Sequence, residues 1–279
     1  MTKSMFVGVS GVARRVKNFY VGVSGVARRV KKAYVGVNGV AREFYGGDWW
    51  MASGLSSTNV IAAYKFIHAD SENAALTNCA NASTYKLVKQ NSPTWTASNG
   101  FNMSGQSKYL SNTSLNALTN IKTIIIRFAG LPTTNNVLYR ASEIKGTTGT
   151  GTKNPLLYAR FNMQCIYNSK TTYLNSNYPV AITSWTNNVL TYYVGSTKLG
   201  TTGVLGYSTA QIYSNGTKQT TQKKTANMDS CLTTETNLSN SYSYSINDFG
   251  GGYVYAAAFY NIDLSAAQHQ TIADNMLTL

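Results

Sequence analysis

At 279 residues, 43% of them apolar, the chain has room for one large domain plus an appendage, and it is too apolar to be a disordered tail. No run approaches the roughly 20 apolar residues that a bilayer span needs, so no membrane insertion is expected. The charge of +14 is uneven: residues 1–45 hold nine cations (Lys3, Arg14, Arg15, Lys17, Arg28, Arg29, Lys31, Lys32, Arg42) against Glu43 alone.

The first 46 residues are a repeat. Phe6, Tyr20 and Tyr34 are equivalent, as are Val7, Val21, Val35 and Arg14, Arg28, Arg42, which sets a period of 14 residues. Each unit turns on a two-residue step, Ser10-Gly11, Ser24-Gly25 or Asn38-Gly39, between Val-rich runs. Asn-Gly in that setting signals a tight hairpin, because both residues reach positive φ at low cost.

Counting outward from the turn predicts the pairs. Val23 faces Val26, Gly22 faces Ala27, Val21 faces Arg28 and Tyr20 faces Arg29; Phe6 faces Arg15, and Tyr34 faces Glu43. Alternation puts the valines on one face and the aromatic–Arg pairs on the other. The parity of the apolar positions changes between units, which predicts an irregularity at 16–19 and again at 30–33. Hairpins of this size cannot bury a valine face alone. The arm, residues 1–48, is therefore expected to need a partner, through Tyr20, Val21, Val23, Arg28, Arg29, Tyr34, Val35 and Arg42.

Residues 49–59 have linker composition, with Trp49-Trp50 as an anchor. From Val60 onward short β-type runs recur between turn signals, among them "VIAAYKFI", "TIIIRFAGL", "VLTYYVG", "AQIYSNGTK" and "YVYAAAFYNI". Many short strands without intervening helices predict a sandwich or jelly roll over 60–279. "SNG" within 214–216 predicts a hairpin, and the Gly/Thr-rich stretch 143–155 a long edge loop. Ser265-x-x-Gln268 is a capping box that opens a short C-terminal helix with Leu264, Ile272 and Met276 on its inner side. The fold class read from the sequence is all-β: a hairpin arm, a jelly-roll sandwich and that helix.

"SNGFNMSGQSKYLSN", "NIKTIIIRFAGL", "AQIYSNGTK" and "GGGYVYAAAFYNIDLSAAQHQTIADNM" follow one another in an order that resembles concanavalin A-like, laminin-G-like jelly rolls. The "YVGVNGVAR" array resembles the front of tail-associated structural proteins of phages and prophages of gut Firmicutes. Together these resemblances imply a virion protein, and since no apolar h-region follows Lys3, no signal peptide is expected. Its arm would bind other virion proteins and hold a homo-oligomer together, a trimer by expectation, and its lectin-like head would meet a host-surface glycan. A purely architectural capsid or baseplate role is the alternative, and specific nucleic-acid binding is not expected.

For a glycan the expected platform is Trp95, Trp185, Tyr192 and Tyr193, since sugars stack on aromatic faces. Laminin-G-like domains often hold calcium; here only Asp248 suggests a ligand, and no cofactor or metal site is assigned. Glycoside hydrolysis needs two carboxylates across a cleft. Asp70 and Glu72, expected on one strand face, are the sole arrangement of that kind, and without a third acid in the run no enzymatic activity is expected. Cys79, Cys165 and Cys231 have no CxxC spacing and are expected as buried free thiols.

Overall fold

The structure is a computed structural model. It describes residues 6–9, 12–15, 20–23, 26–29, 32–37, 40–46, 48–103, 108–116, 120–130, 136–140, 156–167, 170–176, 178–186, 189–209, 211–227, 245–246 and 252–279.

The arm forms three separate two-stranded sheets. In the first, β1 (Phe6–Val9) pairs with β2 (Val12–Arg15) as Phe6↔Arg15, Val7↔Arg14, Gly8↔Ala13 and Val9↔Val12. The second, β3 (Tyr20–Val23) with β4 (Val26–Arg29), repeats that register through Tyr20↔Arg29 and Val23↔Val26. In the third, β5 (Lys32–Val37) and β6 (Val40–Gly46) pair Tyr34 with Glu43, and the register shifts between Ala33 and Tyr34. The pairs are those the turn positions dictate. The turn residues themselves, and the expected irregularity at 16–19, lie outside the described residues.

The head is two antiparallel sheets face to face. The first contains β7 (Val60–Lys65), β9 (Thr94–Thr96), β10 (Gly100–Asn102), β12 (Thr123–Ala129), β18 (Gly203–Ser208), β19 (Gln211–Ser214), β20 (Thr217–Lys218) and β23 (Tyr253–Tyr260). Its order is β20-β19-β18-β12-β23-β10-β9, and β7 shares the edge of β23 with β10.

The second sheet contains β8 (Val88–Gln90), β11 (Tyr109–Ser111), β13 (Asn136–Arg140), β14 (Leu156–Tyr167), β15 (Lys170–Ser176), β16 (Val180–Thr186), β17 (Val189–Gly195), β21 (Thr221–Asn227) and β22 (Ser245–Ile246). Its order is β21-β17-β16-β14-β13-β22-β11-β8, with β15 on β14.

Alternation builds the core between the sheets. Ile124, Ile126 and Phe128 of β12 point inward with Tyr64, Phe101, Leu205, Tyr207, Ile212 and Phe259, against Leu110 and Ala181 of the other sheet. Tyr64 and Phe66 stack, and Phe66 meets Phe101 edge-on with centroids 5.6 Å apart. A bulge at Tyr255 resets the alternation. Arg127 pairs with Ala256 but Phe128 with Val254, so Val254 and Ala257 both face the core.

The outer face of the first sheet is buried as well. Ala63, Ile125, Val204, Ala256, Ala258 and Tyr260 pack under the C-terminal helix (Ala266–Leu277) and under Trp49 and Ala52. Double burial explains why β12 carries three consecutive isoleucines, Ile124 to Ile126, in place of an alternation. The capping box is formed: Ser265 Oγ accepts from Gln268 N, and Gln268 Oε1 accepts from Ser265 N at 2.9 Å. Leu264, Ile272 and Met276 are buried, as the spacing requires.

Three expectations are corrected. Residues 49–59 are not a linker but part of the domain: Trp49 joins the second core, Tyr260 Oη donates to Trp50 O, and Gln268 Nε2 donates to Ser53 O. Their Gly/Ser content hides three anchors, Trp49, Ala52 and Leu55. Asp70 and Glu72 do not share a strand face. Ser71 Oγ accepts from Ala74 N and starts a short helix, Glu72–Leu76, in place of a strand. Cys79 is exposed, because the preceding Asn78 takes the interior position.

The "SNG" hairpin is present between β19 and β20, with Asn215 at φ 48° and Gly216 at φ 79°. Both values are positive, as a type I′ turn demands.

Candidate functional site

The sheet end formed by β16, β17 and the edge strand β21 carries most of the aromatic residues picked for a ligand. Tyr193 pairs with Ala181, which belongs to the inter-sheet core, and Tyr193 packs against that core while partly buried. Its neighbour Tyr192 therefore lies on the outer face, opposite Lys224 of β21 and Ile182 of β16. Two residues on, Val194 pairs with Gln222 on that same face. Lys224 and Gln222 are exposed, whereas Tyr192 is 9% exposed and burial raises its hydroxyl pKa. Trp185 pairs with Leu190 along the backbone.

Trp95 is elsewhere. It sits on β9, the far edge of the other sheet, paired with Phe101 and packed on the inter-sheet core. Its indole Nε1 donates to Phe66 O at 2.7 Å, so the ring is fixed as a structural wedge. The four residues do not form one platform. Tyr193 and Trp95 pack on the core from separate sheets, and the outer face beside Lys224 keeps Tyr192.

The carboxylates are also dispersed. Glu72 accepts from Lys89 Nζ at 2.6 Å in a half-exposed ion pair. Asp263 is structural: its Oδ1 accepts from Thr209 N at 2.9 Å, Thr209 Oγ1 at 2.6 Å and Ser208 Oγ at 3.3 Å. Leu264 N donates to both Thr123 Oγ1 and Ser208 Oγ, so this cluster holds the chain where it enters the helix. Asp274 accepts from Gln270 Nε2 one helical turn away. Among the described residues no three His, Cys, Asp or Glu side chains come together as a metal group. Asp248 lies outside the described residues.

Two titratable groups with shifted pKa, His269 and Arg127, lie under the helix, and no sequence motif marks them. His269 is 1% exposed and stacks on Tyr213 with ring centroids 3.6 Å apart. Burial pushes its pKa down to about 3, so the imidazole is neutral. Gly206 makes room for it, since a Cβ there would come within 2.8 Å of Nδ1. Arg127 donates from Nη1 to Met276 O at 2.7 Å, satisfying a carbonyl in the last turn of the helix. Its guanidinium lies 4.9 Å from the centroid of the bulged Tyr255 ring. Burial lowers the Arg127 pKa, and that ring opposes the shift. These groups clamp the helix to the sheet, and nothing in their arrangement is open to a substrate.

No family model matches the chain, and no curated protein matches it. Among solved structures it is similar to a mutant of Trypanosoma rangeli sialidase displaying trans-sialidase activity, at 10% identity and a TM-score of 0.35, over 80% of this chain and 34% of that one. It is also similar to the binding domain of botulinum neurotoxin DC in complex with rat synaptotagmin II, at 9% identity and a TM-score of 0.34. That match covers 79% of this chain and 52% of the toxin domain. The chain thus spans a third to a half of the length of these structures. Overlap at that level says nothing about ligand or activity; the fold rests on the two-sheet topology itself.

Proposed function

We propose that the protein is a non-enzymatic structural component of a bacteriophage particle, anchored by its hairpin arm and presenting its sandwich domain to a host-surface glycan. The observation that carries this reading is the common register of the three hairpins. Two-stranded sheets are marginal in water, so three in one register are built to be completed by something else. A valine buried in such an interface contributes about 1.5–3 kcal/mol, and Val7, Val9, Val12 and their equivalents supply several per chain. The sandwich, by contrast, buries both faces of its first sheet within the chain.

The glycan would meet the outer face of β17 and β21. Exposed Lys224 and Gln222 supply donors for hydroxyl groups there, while the neighbouring Tyr192 is buried and presents no open ring. Trp95 and Tyr193 are left out, since both are committed to the core.

The test removes residues 1–46. The cut stops short of Asp48 because Trp49 and Ala52 belong to the domain. The shortened chain should fold and stay monomeric but fail to join particles; incorporation at normal copy number would show that the arm is not the anchor. On a glycan array the shortened chain should bind, and Lys224→Ala should weaken that binding. If intact particles and the isolated head bind no glycan, the head is architectural.

A further inference from the structure

The third repeat breaks the pattern at one position that matters. Facing the aromatic, repeats one and two carry Arg15 and Arg29, and repeat three carries Glu43. Glu43 is also the sole acid among residues 1–46. In all three repeats the pair lies on the same face as a Gly–Ala pair: Gly8↔Ala13, Gly22↔Ala27 and Gly36↔Ala41. A strand position without a side chain, beside one with only a methyl group, lets another backbone approach closely.

A uniformly acidic socket on a foreign protein would favour arginine in every repeat, and a glutamate there would repel it. A second copy of this chain reverses the argument. Hairpin three of one copy, carrying Tyr34 and Glu43, complements hairpin one or two of another, carrying an aromatic and an arginine. Stacking like repeats would set Arg15 or Arg29 against itself, so the charge pattern also selects an offset pairing. If hairpin three of each copy meets an arginine hairpin of the next, the contact is head-to-tail, and the rotation between copies decides between a closed ring and an open chain.

We propose that the arm's partner is a second copy of this chain, and that Glu43 of one copy against Arg15 or Arg29 of the next sets the offset. This rests on reading the arm as a self-associating element, and it deepens that reading by naming the register. The flat Gly–Ala face is the contact, and the valine face remains for the particle. Hairpins one and two outnumber hairpin three, so each copy keeps one arginine hairpin unmatched and available to an acidic neighbour.

The test is charge reversal on the full chain, read as mass in solution by sedimentation. The unaltered chain should exceed the 30.3 kDa of one copy. Glu43→Arg should raise the dissociation constant at least about tenfold, as should Arg15→Glu combined with Arg29→Glu. Mixing those two variants should restore association, because each then carries the sign the other lacks. A Glu43→Arg chain that associates as before overturns the proposal, and so does a mixture in which both variants stay monomeric. An unaltered chain that is monomeric at every concentration, yet still joins particles through residues 1–46, overturns it too while leaving the anchoring role intact.

Discussion

The arm and the head are both β-structure, but they are held together over different distances along the chain. In the arm the widest strand pair is Lys32↔Gly46, within one repeat. In the head β23 pairs with β7 as Ala256↔Lys65 and with β10 as Phe101↔Val254. Local pairs close cheaply but enclose no core, whereas non-local pairs cost loop entropy and return it as burial on both faces of a sheet. Each hairpin of the arm is therefore expected to be marginal alone, whereas the head encloses its own core.

The largest effect should come from the point where the head's two sheets meet. Phe101 is 0% exposed and packs edge-on against Phe66. Phe101→Ala should cost about 3–5 kcal/mol of unfolding free energy, measured by urea denaturation of the chain lacking residues 1–46. The matching change in the arm, Val23→Ala in the full chain, should leave the head's unfolding midpoint unmoved and weaken only incorporation into particles. A head midpoint that follows the arm substitution would break the comparison, because the two regions would then be one cooperative unit.

A second probe separates the helix side of the sandwich from its centre. The folded-state pKa of His269, about 3, lies below the ordinary value near 6.5, so the unfolded chain takes up a proton first as pH falls. The stability this neutral histidine allows is complete above pH 6.5 and is lost as pH drops from there toward 3. The loss is about 1.4 kcal/mol per pH unit, or about 2 kcal/mol by pH 5. Unfolding measured between pH 7 and 5 should show that slope, and His269→Gln should flatten it. An unchanged slope in the variant would mean another group titrates there.

Separation along the chain also explains which parts of the molecule the sequence discloses. Tyr20↔Arg29 and Tyr34↔Glu43 follow from counting outward from a two-residue turn, because everything that sets them lies within 14 residues. The Asn215-Gly216 hairpin is legible for the same reason. The bulge at Tyr255 is not: "YVYAAAFY" is a continuous apolar run with no period to break, and only the partner β12 shows that the register skips a residue. The ligand candidates divide on the same point. Tyr192 and Tyr193 are indistinguishable in sequence, and what separates them is that Ala181, paired with Tyr193, faces the core. Asn78 gave no signal either. It is fully buried, its Oδ1 accepting from Ala63 N and Ala80 N, and its Nδ2 donating to Thr84 Oγ1, so it covers the edge of β7.

The smallest expected effect tests whether a legible local signal also carries the energy. Ser265 and Gln268 form a capping box readable from four residues, and they satisfy two backbone N–H groups at the start of the helix. The helix is held to the sheet by other means: Ile272 and Met276 in the second core, the stacked His269, and Arg127 on Met276 O. Most of its stability is then tertiary, as expected for a helix of 12 residues, which is marginal alone. Ser265→Ala should cost only about 1 kcal/mol, while Ile272→Ala should cost about 2–5 kcal/mol. Thermal unfolding of both variants without residues 1–46 gives the ratio directly. If Ser265→Ala proves as damaging as Ile272→Ala, the helix is specified by its own first turn, and local signals govern the head as they govern the arm.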